Sequence, residues 1–280
     1  MQPETLGAMI ALAASLSWGS GDFIGGFASR RLSHYPVLFL NSVSSIFTLF
    51  LTALLLKEGI PTPINILYSI TAGTFGAFGM AALLKGLAQG SSAIVAPIAG
   101  VIGVILPMLA GIVREGLPGA SQSAGFFLAL IGIWLVTRFN ADQNRISRIS
   151  IIMGLLAGIG FGGFLLLIAR VKTEEIFMPL TAAKLASLIT ALIMLWQSKQ
   201  PIPRTNVIPF ALFSGIIDAG GNVFYLAATQ FARLDVVAVL ASLYPAVTVL
   251  WSYFIFKEMI LRKQWIGIIA CVLAIILISI

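Results

Sequence analysis

Asp218, Asn222, Tyr225 and Thr229 stand at i, i+4, i+7 and i+11 of one long apolar stretch. Helical spacing brings all four onto one face. A carboxylate, an amide and a phenol on one stripe could bind an amine and hydrogen-bond a polar solute; alternatively, Asp218 satisfies a neighbouring helix and only packs. Lys184 lies near the middle of the preceding apolar stretch. Buried charges need partners, so an ion pair between Lys184 and Asp218 is the simplest reading. Left unpaired, Lys184 could hold a solute carboxylate. Asp22 lies one turn past Trp18, with Ser15 one turn further back. A desolvated carboxylate can carry a proton, which makes Asp22 and Asp218 candidates for ion coupling. The plainer reading of Asp22 is a helix-end aspartate reaching the interface or Arg30.

Other polar residues carry weaker signals. Tyr244 precedes Pro245, where proline interrupts the helical ladder and can turn a carbonyl towards a cavity. Asn41, Ser45, Thr48 and Thr52 form a stripe of the kind that glues helices together or bonds its own backbone. Lys85 is near a segment end and can snorkel. Gly154, Gly158 and Gly162 make a close-packing surface. His34 reads as a solvated loop residue, and Cys271 as a buried structural thiol. No catalytic group, metal or cofactor is expected, and no nucleotide-binding motif occurs.

The elements that must hold these residues are membrane helices. Apolar residues make up 59% of the 280 and charged residues 10%, against about 25% charged in an average soluble domain. Ten segments are long and apolar enough to span, near 5–29, 35–56, 64–87, 93–113, 121–137, 151–169, 177–196, 207–231, 236–256 and 264–280. Runs such as Ile268–Ile280 do not alternate as strands of a barrel would. The first segment reads as a spanning helix and not a signal peptide. The net charge of +7 does not point to nucleic acid, because the basic residues sit at helix ends. Eleven Lys and Arg fall on one side of the ten-helix arrangement and five on the other, which places both termini outside the cytoplasm.

The chain also repeats itself. At an offset of 143 residues, Gly19 falls on Gly162, Pro36 on Pro179, Ser44 on Ser187, Leu83 on Leu226 and Glu115 on Glu258. Each half opens on a Gly-rich apolar segment, carries a Pro-x-Pro break (Pro61 and Pro63, then Pro201 and Pro203) and reaches a basic-Glu pair before its last segment. The expected organisation is a first five-helix unit over 1–138, a polar connector over 139–150 and a second five-helix unit over 151–280. An odd number of helices per unit makes the second enter from the opposite face, so the repeats are inverted, with a site expected near the midplane between them. Lys184 falls on Asn41, Asp22 on Leu165, and Asp218 on Phe75, so the charged positions differ while the scaffold repeats.

Leu16-Ser17-Trp18-Gly19-Ser20-Gly21-Asp22-Phe23 is similar to the opening Trp-Gly pattern of the drug/metabolite transporter superfamily, EamA branch. Ser242-Leu243-Tyr244-Pro245-Ala246-Val247, running to Phe256-Lys257-Glu258 and Gln264-Trp265-Ile266-Gly267, resembles its closing signature. The resemblance covers essentially the whole chain. It implies a central cavity lined by the first, third, fourth, sixth, eighth and ninth helices, and export or exchange of small metabolites, often amino acids. Two features depart from it: family members commonly keep their termini in the cytoplasm, and Ile102 stands where the second half has Pro245.

The expected function is a secondary transporter, not an enzyme, for a small polar metabolite such as an amino acid. It would sit as a multi-pass protein in a prokaryotic cell membrane, working by alternating access with possible proton coupling. Trp18, Asp22, Asn41, Lys184, Asp218, Asn222, Tyr225 and Tyr244 are the expected substrate contacts. Uptake of an organic cation is the alternative. A receptor or scaffold and an intramembrane aspartyl protease built on Gly19-Ser20-Gly21-Asp22 and Asp218 stand further back; for the protease, Ile217 replaces the usual Tyr and no Pro-Ala-Leu segment occurs. Substrate and lipid bilayer are the expected partners, and Gly- and Ala-rich faces permit a homodimer without requiring one.

Overall fold

The computed structural model describes residues 2–89, 92–137, 148–171, 175–200, 205–257 and 259–279. Among them there are helices and no strands: α1 Pro3–Ser29, α2 His34–Leu55, α3 Pro63–Gln89, α4 Ser92–Glu115, α5 Ala120–Thr137, α6 Arg148–Ile168, α7 Phe177–Ser198, α8 Ile208–Ala228, α9 Leu234–Ala241, α10 Tyr244–Phe256 and α11 Arg262–Ser279. His34 opens α2 instead of lying in a loop. Residues 139–147 of the connector, the Pro201-x-Pro203 break and Glu258 fall outside the described residues, while 148–150, expected as connector, open α6.

Eight stretches among the described residues are long and apolar enough to cross a membrane: α2, Pro63–Leu83 of α3, Val95–Glu115 of α4, α5, α6, α7, α8 and Leu234–Phe256. In α1, Asp22 and several glycines and serines dilute the apolar content, while α11 runs to the edge of the described residues. One expectation needs correction: the ninth segment is not one helix. It breaks at Ser242-Leu243 into α9 and α10, with Pro245 in the first turn of α10. Proline lacks the amide hydrogen that would continue the α9 ladder, and its ring disfavours helical geometry just before it. Pro97 and Pro107, by contrast, lie inside an uninterrupted α4.

The halves interleave. α1 packs on α8 and α3 on α6; α2 packs on α8 and α7 on α3; α1 packs on α9 and α10 as α6 packs on α4. The pairs α2–α7, α5–α11 and α4–α9 each join counterpart helices. Exchanging the two halves therefore leaves the packing scheme unchanged. The match extends to individual residues. A Cβ at Gly162 would lie 2.9 Å from both the Gly103 carbonyl oxygen and Leu106 Cβ of α4, and one at Gly19 would lie 2.6 Å from the Tyr244 carbonyl oxygen of α10.

Small residues make these contacts and large ones face outward. Ala11, Ala14, Ala53, Ala72, Ala129 and Ala157 are fully buried, whereas Phe47, Leu55 and Trp196 are exposed. Lipid tails are as apolar as leucine, so helices associate through close packing and not through exclusion of oil. The Gly154/Gly158/Gly162 stripe meets Ile98, Ile102 and Leu106 of α4 as a packing surface. Cys271 is buried against Gly132 of α5.

One polar clamp joins α2 to α7. Lys57 ends α2 in a left-handed conformation (φ 55°), and Glu58 behind it accepts hydrogen bonds from the Ile176, Phe177 and Met178 amides at 2.8–3.1 Å. These are otherwise orphan donors at the start of α7, where the helix dipole also favours a carboxylate.

The closest approaches give a stability test. A Cβ at Gly73 would overlap the Ala183 carbonyl of α7, and one at Gly215 the Asn41 carbonyl of α2; nothing lies within 4 Å at Gly26. Gly73→Val and Gly215→Val should each lower the thermal stability of the detergent-solubilised protein, by about 1–3 kcal/mol or more for overpacking. Gly26→Ala should leave the melting temperature within error. Equal effects at all three positions would contradict this packing.

Candidate functional site

The middle of the bundle is where α1, α7, α8 and α10 bring their polar residues together. Lys184 of α7 is ion-paired and hydrogen-bonded to the Asp218 carboxylate of α8. Ser45 of α2 donates to the Gly215 carbonyl at 2.6 Å and lies 3.3 Å from the same carboxylate. Asn41 donates to Ser214 Oγ at 3.1 Å. Thus Asn41 and Ser45 of the stripe on α2 serve α8, while Thr52 donates to the Thr48 carbonyl of its own helix at 2.8 Å. The pair is not sealed in: the Lys184 and Asp218 side chains keep 16% and 25% of their surface accessible. A charge pair that stays partly accessible at mid-membrane needs polar surroundings, because full desolvation costs more than attraction returns.

The rest of the α8 stripe is engaged with backbone. Asn222 donates to the Asp218 carbonyl at 2.7 Å. Tyr225 is completely buried, and its hydroxyl donates to the Leu165 carbonyl of α6 at 3.1 Å. Thr229 donates to the Leu226 carbonyl at 2.7 Å. The Tyr225 ring, however, faces α1: Trp18 packs on it at 5.7 Å between centroids and meets Tyr244 edge-on at 6.3 Å. Trp18, Tyr225 and Tyr244 thus form one aromatic cluster shared by α1, α8 and α10, with Tyr225 buried behind Trp18.

Asp22 lies on the face of α1 between two contact lines. Gly19 meets α10 and Gly21 meets α8, and helical geometry places Asp22 in the sector between them. Its side chain is exposed. Gly21 beside it lies against the Asp218 backbone, and Trp18 one turn back meets Tyr244. Asp22 has no hydrogen-bond or ion-pair partner among the described residues, and no hydrogen bond joins its carboxylate to that of Asp218. The two aspartates are therefore neighbours without forming a hydrogen-bonded dyad. Ser15 is buried against the helix packing, and Lys85 is exposed towards the end of α3.

Sequence reasoning passed over a second ionic cluster at the end of the bundle where α4 stops and α9 starts. Arg233 donates to both oxygens of Asp235, from Nε at 3.1 Å and from Nη2 at 2.7 Å. It also donates to the Glu115 and Gly116 carbonyls at 3.3 and 2.7 Å, with the Glu115 carboxylate 3.9 Å away. The bidentate bond to Asp235 raises the guanidinium further above its already high value. Asp235 is fully buried, as are all eight residues of α9. Beside the cluster lies a cavity of about 450 Å³ whose walls include Arg114, Ala169, Thr229 and Leu234. The signal for this cluster was an Arg two residues before an Asp at a helix start, a spacing that favours a bidentate pair.

Both ionic contacts can be tested by removing one partner or two. Lys184→Met should destabilise the protein by leaving the Asp218 carboxylate without its partner, by less than the ~3–5 kcal/mol of a fully buried pair, and Lys184→Met with Asp218→Asn should recover most of that loss. Arg233→Met should behave the same way, with recovery on adding Asp235→Asn. Thermal unfolding in detergent reads both series, and a double variant no more stable than its lysine or arginine single variant would overturn the pairing concerned.

The EamA-like transporter family model matches residues 5–138 and again residues 148–280. An uncharacterised protein of Methanocaldococcus jannaschii is 27% identical over 132 residues, which is 47% of this chain and 96% of that protein. A crystal structure of another protein superposes with a TM-score of 0.79 at 13% identity, over 98% of this chain and 96% of that one, a likeness of fold. With two family matches that together take in nearly every residue, on an all-helical multi-pass bundle, this chain is an integral membrane protein belonging to the EamA-like transporter family.

Proposed function

We propose that the protein is a secondary transporter moving a small polar metabolite, an amino acid or a related compound, by export or exchange. It has ten spanning helices in two inverted five-helix units, 1–138 and 151–280, and works by alternating access in a prokaryotic cell membrane. The observation that carries this reading is the packing scheme that survives exchange of the halves, with unequal polar residues where the halves meet. In inverted-repeat transporters the substrate site lies near the midplane at the repeat interface, and one unit rocks against the other around it. The half-length relative supports the reading further, since 96% of it aligns with less than half of this chain.

Trp18, Asp22, Asn41, Lys184, Asp218, Asn222, Tyr225 and Tyr244 are assigned to this site. In the arrangement described, Asn41 acts by positioning α8, and the buried Tyr225 acts by supporting Trp18, its hydroxyl being held by Leu165. Asp22 and Asp218 are the groups that could couple movement to protons.

Flux of radiolabelled amino acids and amines into proteoliposomes tests the reading. A pH difference across the membrane should change the flux, and Asp22→Asn should abolish that dependence. Flux that ignores the pH difference, and persists with both aspartates neutralised, would remove proton coupling. Specific binding without flux of any bound compound would favour a receptor over a transporter.

A further inference from the structure

Tyr225 reaches a helix that is not among the main packing partners of α8. α8 packs chiefly on α1 and α2, and α6 on α3 and α4. The Tyr225 hydroxyl nevertheless donates to the Leu165 carbonyl of α6 at 3.1 Å. The side chain between is completely enclosed, and Trp18 of α1 packs on its ring at 5.7 Å between centroids. Trp18, Tyr225 and Leu165 therefore make one layer across the bundle, from α1 over α8 to α6.

This layer separates two polar regions. On one side is the cavity of about 450 Å³ beside the Arg233 cluster, with Thr229 of α8 and Ala169 of α6 in its wall. Tyr225 and Leu165 lie one turn inward of those two residues, about 6 Å along each helix axis. Asn222 and then Asp218 follow on the same face of α8, on the far side of the ring, and Asp218 carries the ion pair with Lys184. Cavity, ring and ion pair thus succeed one another along one stripe of α8.

The parts of this end are held with unequal strength. Arg233 fixes the wall where α4 meets α9, through two hydrogen bonds to the Asp235 carboxylate and two to the Glu115 and Gly116 carbonyls. The Tyr225 side chain is fixed by packing and by one neutral hydrogen bond. Hydrogen bonds from a charged donor are roughly twice as strong as neutral ones, so the tyrosine yields before the wall does. Its side chain turns about χ1 between the two wells open to a helical residue, and the adjoining cavity gives the ring room. We infer that Tyr225 is a gate: in place, it parts the cavity at the α4–α9 end from the Lys184–Asp218 pair, and its displacement joins them. The inference deepens the transporter reading by giving the proposed pathway one of its mouths, and rests on that reading only for what passes.

Thiol labelling of the purified full chain tests the gate, with Cys271 as internal reference because it is buried against Gly132 in the α5–α11 seam. Thr229→Cys stands in the cavity wall and Asn222→Cys behind the ring. A small charged methanethiosulfonate should modify Thr229→Cys rapidly and Asn222→Cys slowly. Adding Tyr225→Phe deletes the hydroxyl, leaves the Leu165 carbonyl unpaired and should speed modification of Asn222→Cys about tenfold. Tyr225→Ala removes the ring and should bring Asn222→Cys close to the rate of Thr229→Cys. Cys271, read by peptide mass, should stay unmodified throughout. An Asn222→Cys rate indifferent to both substitutions at Tyr225 would overturn the gate, as would one that matches Thr229→Cys while Tyr225 is intact. A Cys271 rate that climbs together with that of Asn222→Cys in Tyr225→Phe would also overturn it, by showing a loosened fold. Flux in proteoliposomes keeps the two readings apart. Flux with labelling unmoved by Tyr225 leaves the transporter without this gate, whereas a labelling response without flux of any solute leaves the gate and removes the transporter.

Discussion

The structure depends on one constraint: the main packing partner of most helices lies in the other half of the chain. α1 rests on α8, α3 on α6, α2 on α7 and α5 on α11, while neighbours in sequence such as α1 and α2 touch only lightly. Neither half has a closed interior of its own. The contacts that hold the protein together are the contacts between halves, and in a bilayer they consist of van der Waals fit at small residues plus a few hydrogen bonds. Displacement of one half against the other must be rigid and small, or it strips the glycine and alanine seams along which the helices lie.

That constraint explains where polar residues sit. Ser45 and Asn41 reach α8 from α2, across the boundary between halves, and Lys184 of α7 meets the same helix from within the second half. Glu58 reaches the start of α7 across the same boundary. Arg233 ties the loop before α9 to the last turn of α4. Apart from the Lys184–Asp218 pair, each spans the two units, so polar contacts, like the seams, register one half against the other. Asp22 stands apart because it does not join helices.

Much of this was legible in the sequence. The apolar segments, the glycine stripe on α6 and the pairing of Lys184 with Asp218 follow from length, spacing and the cost of isolated charge. The stripe of hydroxyls on α2 was readable as glue, but not that Ser45 would approach Asp218, because that depends on how α2 is rotated against α8. In a chain whose lipid-facing and buried residues are both apolar, periodicity reports rotation poorly: Leu49 is buried and Phe47 exposed, and nothing in their types separates them. Arg233, Asp235 and Glu58 were passed over because they lie at helix ends, where charge is ordinary. Their partners are more than a hundred residues away in sequence, except for Asp235, which Arg233 meets locally. The break between α9 and α10 was signalled by Pro245, although Pro97 and Pro107 show that the same residue can sit within a continuous helix.

The two ends of the bundle are closed by different chemistry, and the difference bears on how such a protein could work. Where α4 meets α9, closure is ionic, with Arg233 spanning Asp235, Glu115 and Gly116. At the opposite end, where α1 stops, Phe27 packs against Phe210 and Phe256 at 5.1 and 5.6 Å, Phe23 meets Phe256 at 5.1 Å, and the Arg30 guanidinium lies 4.6 Å from the Phe256 ring centroid. Exact symmetry between the halves would make these ends alike and their opening equal in free energy. The scaffold repeats, but an ionic clamp requires desolvated charges to find water as it parts, whereas the aromatic cluster gives up ring contacts, among them that of Arg30 with Phe256. Salt and pH act on the first and barely on the second. A duplicated scaffold with unequal closures can therefore favour one side at rest, and under the proposed alternating access that bias sets which way the empty protein faces, while the solute and ion gradients set the direction of net movement.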